Sequence, residues 1–166
     1  MLFRSVAGLS RKKKSQEAYV EQLSAAVGEL RAAAEKLAQA IDRDAASYEA
    51  VMAAFKLPKD TSEEQRRRQE AIQQATRRAA EVPLQVAEAA VELFERLGQL
   101  ETISAASMLS DLRVGRLMAS AAARGALENV GINLESITDA SYVAAMQARA
   151  AALEARLASS PVTAGG

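Results

Sequence analysis

From Gln16 to Phe55 the chain has no proline and a single glycine, Gly28. Along it Leu23, Val27, Leu30, Ala34, Leu37, Ile41, Ala45, Tyr48, Met52 and Phe55 recur in steps of three and four. That spacing puts them on one face of a helix. The helix would be ~60 Å long at 1.5 Å per residue, with a heptad-like seam. A helix of that length cannot fold over itself, so it needs partners along its length. Leu57-Pro58 stops it, because proline disfavours helical backbone in the residue before it. Thr61 starts the next helix, with Glu64 three residues on in the capping-box pattern. Ile72, Ala75, Ala79, Val82, Val86, Ala90, Leu93 and Leu97 continue the spacing. Pro83 falls inside this pattern and should kink the helix without ending it, and Gly98 is the expected stop.

Gln99 to Ser110 loses the period and reads as a loop with a short helix. Ser110 or Asp111 then caps a helix running to about Leu134. Its small residues Gly115, Ala119, Ala122, Gly125 and Ala126 would let another backbone approach closely. Asn129 and Asn133 lie one turn apart on one face, as a polar seam between helices or as ligand contacts. Asp139 reads as the cap of a last helix to Ala158, with Tyr142, Met146, Ala150, Leu153 and Leu157 inward. Ser159 to Gly166 reads as a frayed tail. At the other end, Val6, Ala7 and Leu9 look like the last turns of a helix, followed by the basic turn Arg11 to Lys14. The expected fold is all-α, a bundle of long antiparallel helices forming one domain over residues 1–166. Apolar residues beyond one narrow seam, such as Val51, Leu84, Val91 and Met118, predict self-association as a homodimer.

Composition narrows the chemistry. The chain has 166 residues, with 21 Lys+Arg against 21 Asp+Glu, and no basic excess suggests nucleic acid. It has no Cys, which removes disulfides and thiolate metal sites. It has no His, which removes histidine-zinc sites, Ser-His-Asp triads and any imidazole base. Acid–base work falls to Asp, Glu, Lys or Tyr. No apolar run reaches membrane-spanning length, and there is no phosphate-binding or dinucleotide-binding glycine loop. Asp42, Asp44, Lys56, Lys59 and Asp60 crowd around the Pro58 corner. They are either a small polar site or solvated charges near a helix end.

Two stretches, IDRDAASYEAVMAAFKLPKDTSEEQRRRQEAI with the following VPL, and SDLRVGRLMASAAARGALENVGINLESITD, resemble the cyclodeaminase/cyclohydrolase family. This family comprises the C-terminal domain of formiminotransferase-cyclodeaminase and stand-alone methenyltetrahydrofolate cyclohydrolases. The resemblance runs from about Val6 to the last helix. Family members begin with a helix opened by a proline, a glycine run and a serine. Nothing here matches it, so the chain is read as N-terminally truncated, which weighs against its own catalytic competence.

The resemblance implies the family's helical bundle and a folate one-carbon reaction. That reaction is formiminotetrahydrofolate cyclodeamination, with methenyltetrahydrofolate cyclohydrolysis or a truncated non-catalytic scaffold as alternatives. It implies Asp44 and Asp111 as candidate catalytic carboxylates. Asp44 leads, because the family pattern keeps an Asp followed by small residues and an aromatic, here Tyr48. Lys56, Lys59 and Tyr48 would orient the substrate, and Asn129 and Asn133 would meet the pterin amide edge. Lys13 and Lys14 would hold a polyglutamate tail. No metal or cofactor beyond the tetrahydrofolate substrate is implied. A cytoplasmic setting and a formiminotransferase partner are.

Overall fold

Residues Ser62–Glu101 form the helix that the others pack around. Its apolar positions do not keep to one stripe. Ile72, Ala79, Ala80, Leu84, Ala87, Ala89, Val91, Phe94 and Leu97 are all buried and point in several directions. A helix apolar on most sides has to be covered on most sides. The structure, a computed structural model, describes residues 9, 14–160 and 162. After a 3-10 stretch at Lys14–Tyr19 come α1 (Val20–Phe55), α2 (Ser62–Glu101), a 3-10 turn at Ala106–Met108, α3 (Leu109–Leu134) and α4 (Ala140–Ser159). Among the described residues there is no strand, and the expected all-α bundle is the fold that forms.

Each helix reverses on the one before it. Arg96 of α2 binds Glu29 of α1 at 2.6 Å, near the start of one helix and the end of the other. Arg116 of α3 reaches Glu101 at 3.0 Å, while Asn133 reaches back to Ala79. α4 therefore runs parallel to α2. Tyr142, Arg149 and Arg156 of α4 meet Glu81, Glu88 and Glu95 of α2, each 61 residues apart.

Three apolar clusters hold the bundle. The largest joins α2, α3 and α4 through Leu84, Val91, Phe94, Leu127, Val130, Met146, Leu153 and Leu157. A second joins α1, α2 and α3 at one end through Leu23, Leu30, Leu97, Leu100 and Leu112. A third closes the corner through Ala54, Ile72 and Ala75. α1 is thus anchored near its two ends, and between them only Ala40 is buried.

The corner forms as its residues require. Thr61 accepts from the Glu64 backbone N–H, and the Glu64 carboxylate accepts from the N–H groups of Asp60 and Thr61. This completes the expected capping box. Chiefly the Thr61 N–H, with help from the Thr61 side chain and the Asp60 N–H, holds the Glu64 carboxyl below its ordinary value. Arg68 donates twice to the Phe55 carbonyl and stacks over its ring, 5.6 Å from the centroid. Asp139 caps α4 as expected, accepting from the Ser141 and Tyr142 backbone N–H groups.

Several expectations give way. Gly98 does not stop α2, which runs on to Glu101. A Cβ at position 98 would stand 3.1 Å from the Arg116 guanidinium carbon, so the glycine makes room for that side chain. Neither Ser110 nor Asp111 caps α3. The helix starts at Leu109 with Met108 before it and no side-chain cap, and Asp111 lies in the first turn. The long α1 seam is buried only in part. Ile41 is 71% exposed and Tyr48 66%, and Met52 and Phe55 are exposed too. Leu84 and Val91, expected to need a second chain, are buried by this one, whereas Met118 is 61% exposed. The tail read from Ser159 starts inside α4, and Ser160 accepts two bonds from Arg116. The helix end before Leu9 and the basic residues Arg11 to Lys13 lie outside the described residues.

Candidate functional site

α1 and α3 both lie against α2 but separate along the middle of its length. Between them opens a groove of about 340 Å³. Val82, Pro83 and Val86 of α2 make its floor. One wall is Leu37, Ala40, Ile41 and Asp44 of α1, and the other is Ala122, Ala126 and Asn129 of α3. The small side chains explain the opening. Alanines at positions 40, 122 and 126 leave width that leucines would fill. Among the described residues Asp44 brings the groove's only carboxylate and Asn129 its only amide.

The Asp44 carboxylate joins none of the ion pairs found among the described residues. Ser47 donates to its backbone carbonyl at 2.8 Å and leaves the carboxylate untouched. An acid kept unpaired on a rigid helix, above an apolar floor, can accept a proton from a bound molecule or face a developing cation.

The other expected residues do not converge on this groove. Lys56 follows the end of α1 and Lys59 lies in the corner, both exposed, and Lys56 is ~18 Å along the helix from Asp44 at 1.5 Å per residue. Tyr48 projects from α1 one turn after Asp44, with most of its surface open. Asp111 sits ~27 Å along α3 from Asn129, near the opposite end of the bundle. The two candidate carboxylates are therefore not brought together. Lys14 starts the 3-10 stretch before α1, exposed, and Lys13 lies outside the described residues. Asn133, one turn beyond Asn129, donates to Ala79 O at 3.3 Å and to Asn129 O at 3.0 Å.

Sequence reasoning missed the floor and the alanine walls. The available signal was Pro83 inside a helical pattern, because a buried proline marks a place where the backbone departs from plain helix bonding. It also missed Arg116, which is 5% exposed. Its guanidinium lies 4.5 Å from the Phe94 ring centroid, pairs with Glu101 and binds Ser160.

A second groove of about 370 Å³ runs between α1 and α2 on another flank. Its Glu29 and Arg96 neutralise each other at 2.6 Å. Among the described residues no helix is long and apolar enough to cross a membrane.

The profile of the formiminotransferase-cyclodeaminase family matches residues 1–152. Formimidoyltransferase-cyclodeaminase of Sus scrofa is 38% identical over 122 residues, which are 74% of this chain and 23% of the pig protein. Methenyltetrahydrofolate cyclohydrolase of Methylorubrum extorquens is 33% identical over 102 residues, 60% of this chain and 48% of that protein. The chain thus spans about a quarter of the mammalian relative and about half of the bacterial one. The crystal structure of formiminotetrahydrofolate cyclodeaminase from Thermotoga maritima superposes with a TM-score of 0.75 at 26% identity, covering 95% of this chain and 75% of that one.

Proposed function

The chain belongs to the formiminotransferase-cyclodeaminase family, and from that premise we propose that it serves folate one-carbon metabolism as a formiminotetrahydrofolate cyclodeaminase. In this reaction the anilino nitrogen of the folate attacks the carbon of the protonated formimino group carried on the neighbouring ring nitrogen. The carbon becomes tetrahedral between two nitrogens, ammonia leaves, and a methenyl cation remains. The attacking nitrogen loses one proton and the leaving nitrogen gains one. A single carboxylate can carry out both transfers and then face the cation. At 4 Å and an effective dielectric near 20, that last interaction is worth ~4 kcal/mol before desolvation.

The observation that carries the reading is the groove with Asp44 as its one unpaired acid. Asp44 is the general base and acid, and Asn129 on the opposite wall meets the pterin amide edge. Tyr48 borders the substrate one turn further along α1. Lys56 and Lys59, at the corner, suit the glutamate end of an extended folate as point charges. The chemistry exchanges one carbon–nitrogen bond for another and moves protons, with no change of oxidation state, so this proposal invokes no metal or redox cofactor.

The likeness to a methenyltetrahydrofolate cyclohydrolase supports a second reaction for the same groove. There water adds to the methenyl carbon and Asp44 takes its proton. One carbon–nitrogen bond of the bridge then breaks, the departing nitrogen takes that proton, and the formyl group stays on the other nitrogen. A second copy of the chain belongs to the proposal as well, supported by exposed Ile41, Tyr48, Leu117, Met118 and Ile132. So do a cytoplasmic setting and a formiminotransferase partner, the latter supported by the two-part names of the mammalian relatives.

The test is turnover of both folate adducts, followed by the ultraviolet absorption of the methenyl form, together with equilibrium binding of each. Asp44→Asn should lower turnover by ~10²–10⁴-fold and leave most of the folate affinity. Near-wild-type turnover in that variant would remove Asp44 from the mechanism. A chain that bound neither adduct would leave only the helical scaffold.

A further inference from the structure

Pro83 and Asn133 carry separate signals in the sequence and meet in the structure. Proline has no N–H, so the carbonyl four residues earlier, Ala79 O, loses its helical donor. Ala79 is buried at 9% exposed, and a buried carbonyl without a donor is costly. Asn133 of α3 supplies the missing bond, Nδ2 to Ala79 O at 3.3 Å. The same nitrogen donates to Asn129 O at 3.0 Å. An amide nitrogen has two N–H groups, and these two carbonyls engage both.

The position of the two carbonyls gives the arrangement a meaning beyond helix packing. Ala79 O is the group freed by the groove's proline floor. Asn129 O belongs to the residue whose side chain stands on the groove's α3 wall. One side chain therefore ties floor to wall, at the end of the groove that carries the amide facing Asp44. We propose that Asn133 is a positioning residue. It uses the acceptor vacated by Pro83 to fix Asn129 relative to the floor, and so sets the groove's width for its ligand. This rests on the functional reading above, because the ligand it serves is the folate ring. Asn133 itself offers that ligand no N–H.

A double-mutant cycle separates this role from plain stabilisation. Asn133→Ala removes the tie and leaves Ala79 O without a donor. It should lower Tm by roughly 3–10 °C and kcat by roughly 10–100-fold through misplacement of the ring. Pro83→Ala restores an N–H at position 83. In the double variant Ala79 O regains a helical donor, so Tm should return to within a few degrees of Pro83→Ala alone. The tie to Asn129 is still absent, so kcat should stay roughly 10–100-fold below that of Pro83→Ala alone.

If Tm and kcat recover together, Asn133 is merely structural and the inference fails. If Tm does not recover, Pro83 is not the reason for the Asn133 bond, and the inference fails again. The double variant also covers the case in which Asn133→Ala alone does not fold. Failure of the functional reading looks different. Wild-type turnover would be absent, or Asp44→Asn would leave it intact, whatever the cycle shows for Tm.

Discussion

The two flanks of α2 are built from the same residue types and end in opposite states. On the flank facing α4 and the Arg116 cluster, acids meet bases. Glu88 binds Arg149 at 2.6 Å, Glu95 binds Arg156 at 2.7 Å, Asp139 binds Arg77 at 2.9 Å and Glu101 binds Arg116 at 3.0 Å. On the flank where α1 and α3 part, Asp44 stands without such a partner beside Ile41, which is 71% exposed. Both flanks are helical and similarly rich in alanine. The difference lies in pairing: among the described residues the acids of the first flank join ion pairs and Asp44 joins none. Paired acids fix the register of helices, and an unpaired acid on a fixed helix remains available for chemistry.

The sharpest test of this contrast sets Arg116→Met against Asp44→Asn. The first breaks a nearly buried ion pair, leaves Glu101 only the longer contact with Arg113 at 3.7 Å and releases Ser160, and should cost about 3–5 kcal/mol by urea denaturation. The second should change stability by no more than about 0.5 kcal/mol while removing turnover. Comparable losses of stability would show that Asp44 is a structural acid after all.

Truncating one apolar side chain on each flank should give the next largest difference. Leu84→Ala empties fully covered space in the main cluster and should cost about 2–5 kcal/mol. Ile41→Ala should cost under about 0.5 kcal/mol in the single chain. A larger cost for Ile41, growing with protein concentration, would show a second copy covering it.

Acid should loosen the paired flank first. The Ser141 hydroxyl, then the Tyr142 backbone N–H and the Arg77 charge, hold the Asp139 carboxyl below its ordinary value. A hydrogen bond from Arg156, with its charge, does the same for Glu95. Groups whose folded pKa is depressed contribute stability above their unfolded pKa and lose it as pH falls through the folded value. The loss therefore lies below about pH 4. Amide exchange in α4 should accelerate there before exchange in the α2–α3 core does. Simultaneous loss would mean that the ladder adds nothing local.

The smallest expected effects come from two glycines. A Cβ added at Gly28 would meet nothing within 4 Å, so Gly28→Ala should stabilise by up to about 1 kcal/mol. Gly98→Ala gains the same propensity but presses on an Arg116 held by Glu101, Phe94 and Ser160. It should come out neutral or destabilising in the same thermal melt.

The helices, the Thr61 capping box and the Asp139 cap were legible because each rests on neighbours in sequence. Asp44 was legible as a candidate through a family resemblance. The groove was not, because it depends on where α1 and α3 part over Pro83, and periodicity records which face is apolar without recording what covers it. For the same reason Ile41 and Tyr48 looked like core, and Gly98 looked like a terminator until Arg116 was placed beside it.

The α4 ladder sets a rule for how this chain can change length over evolution. Its three rungs recur every seven residues on both helices. One residue inserted between Tyr142 and Arg149 would turn the later arginines by about 100° and carry them off Glu88 and Glu95. The turn before Asp139 is pinned too, because Gln73 of α2 donates to the Ser136 carbonyl and accepts from Thr138. Inside α4 descendants of this chain are held to something like a reading frame, in which only whole heptads keep the message intact.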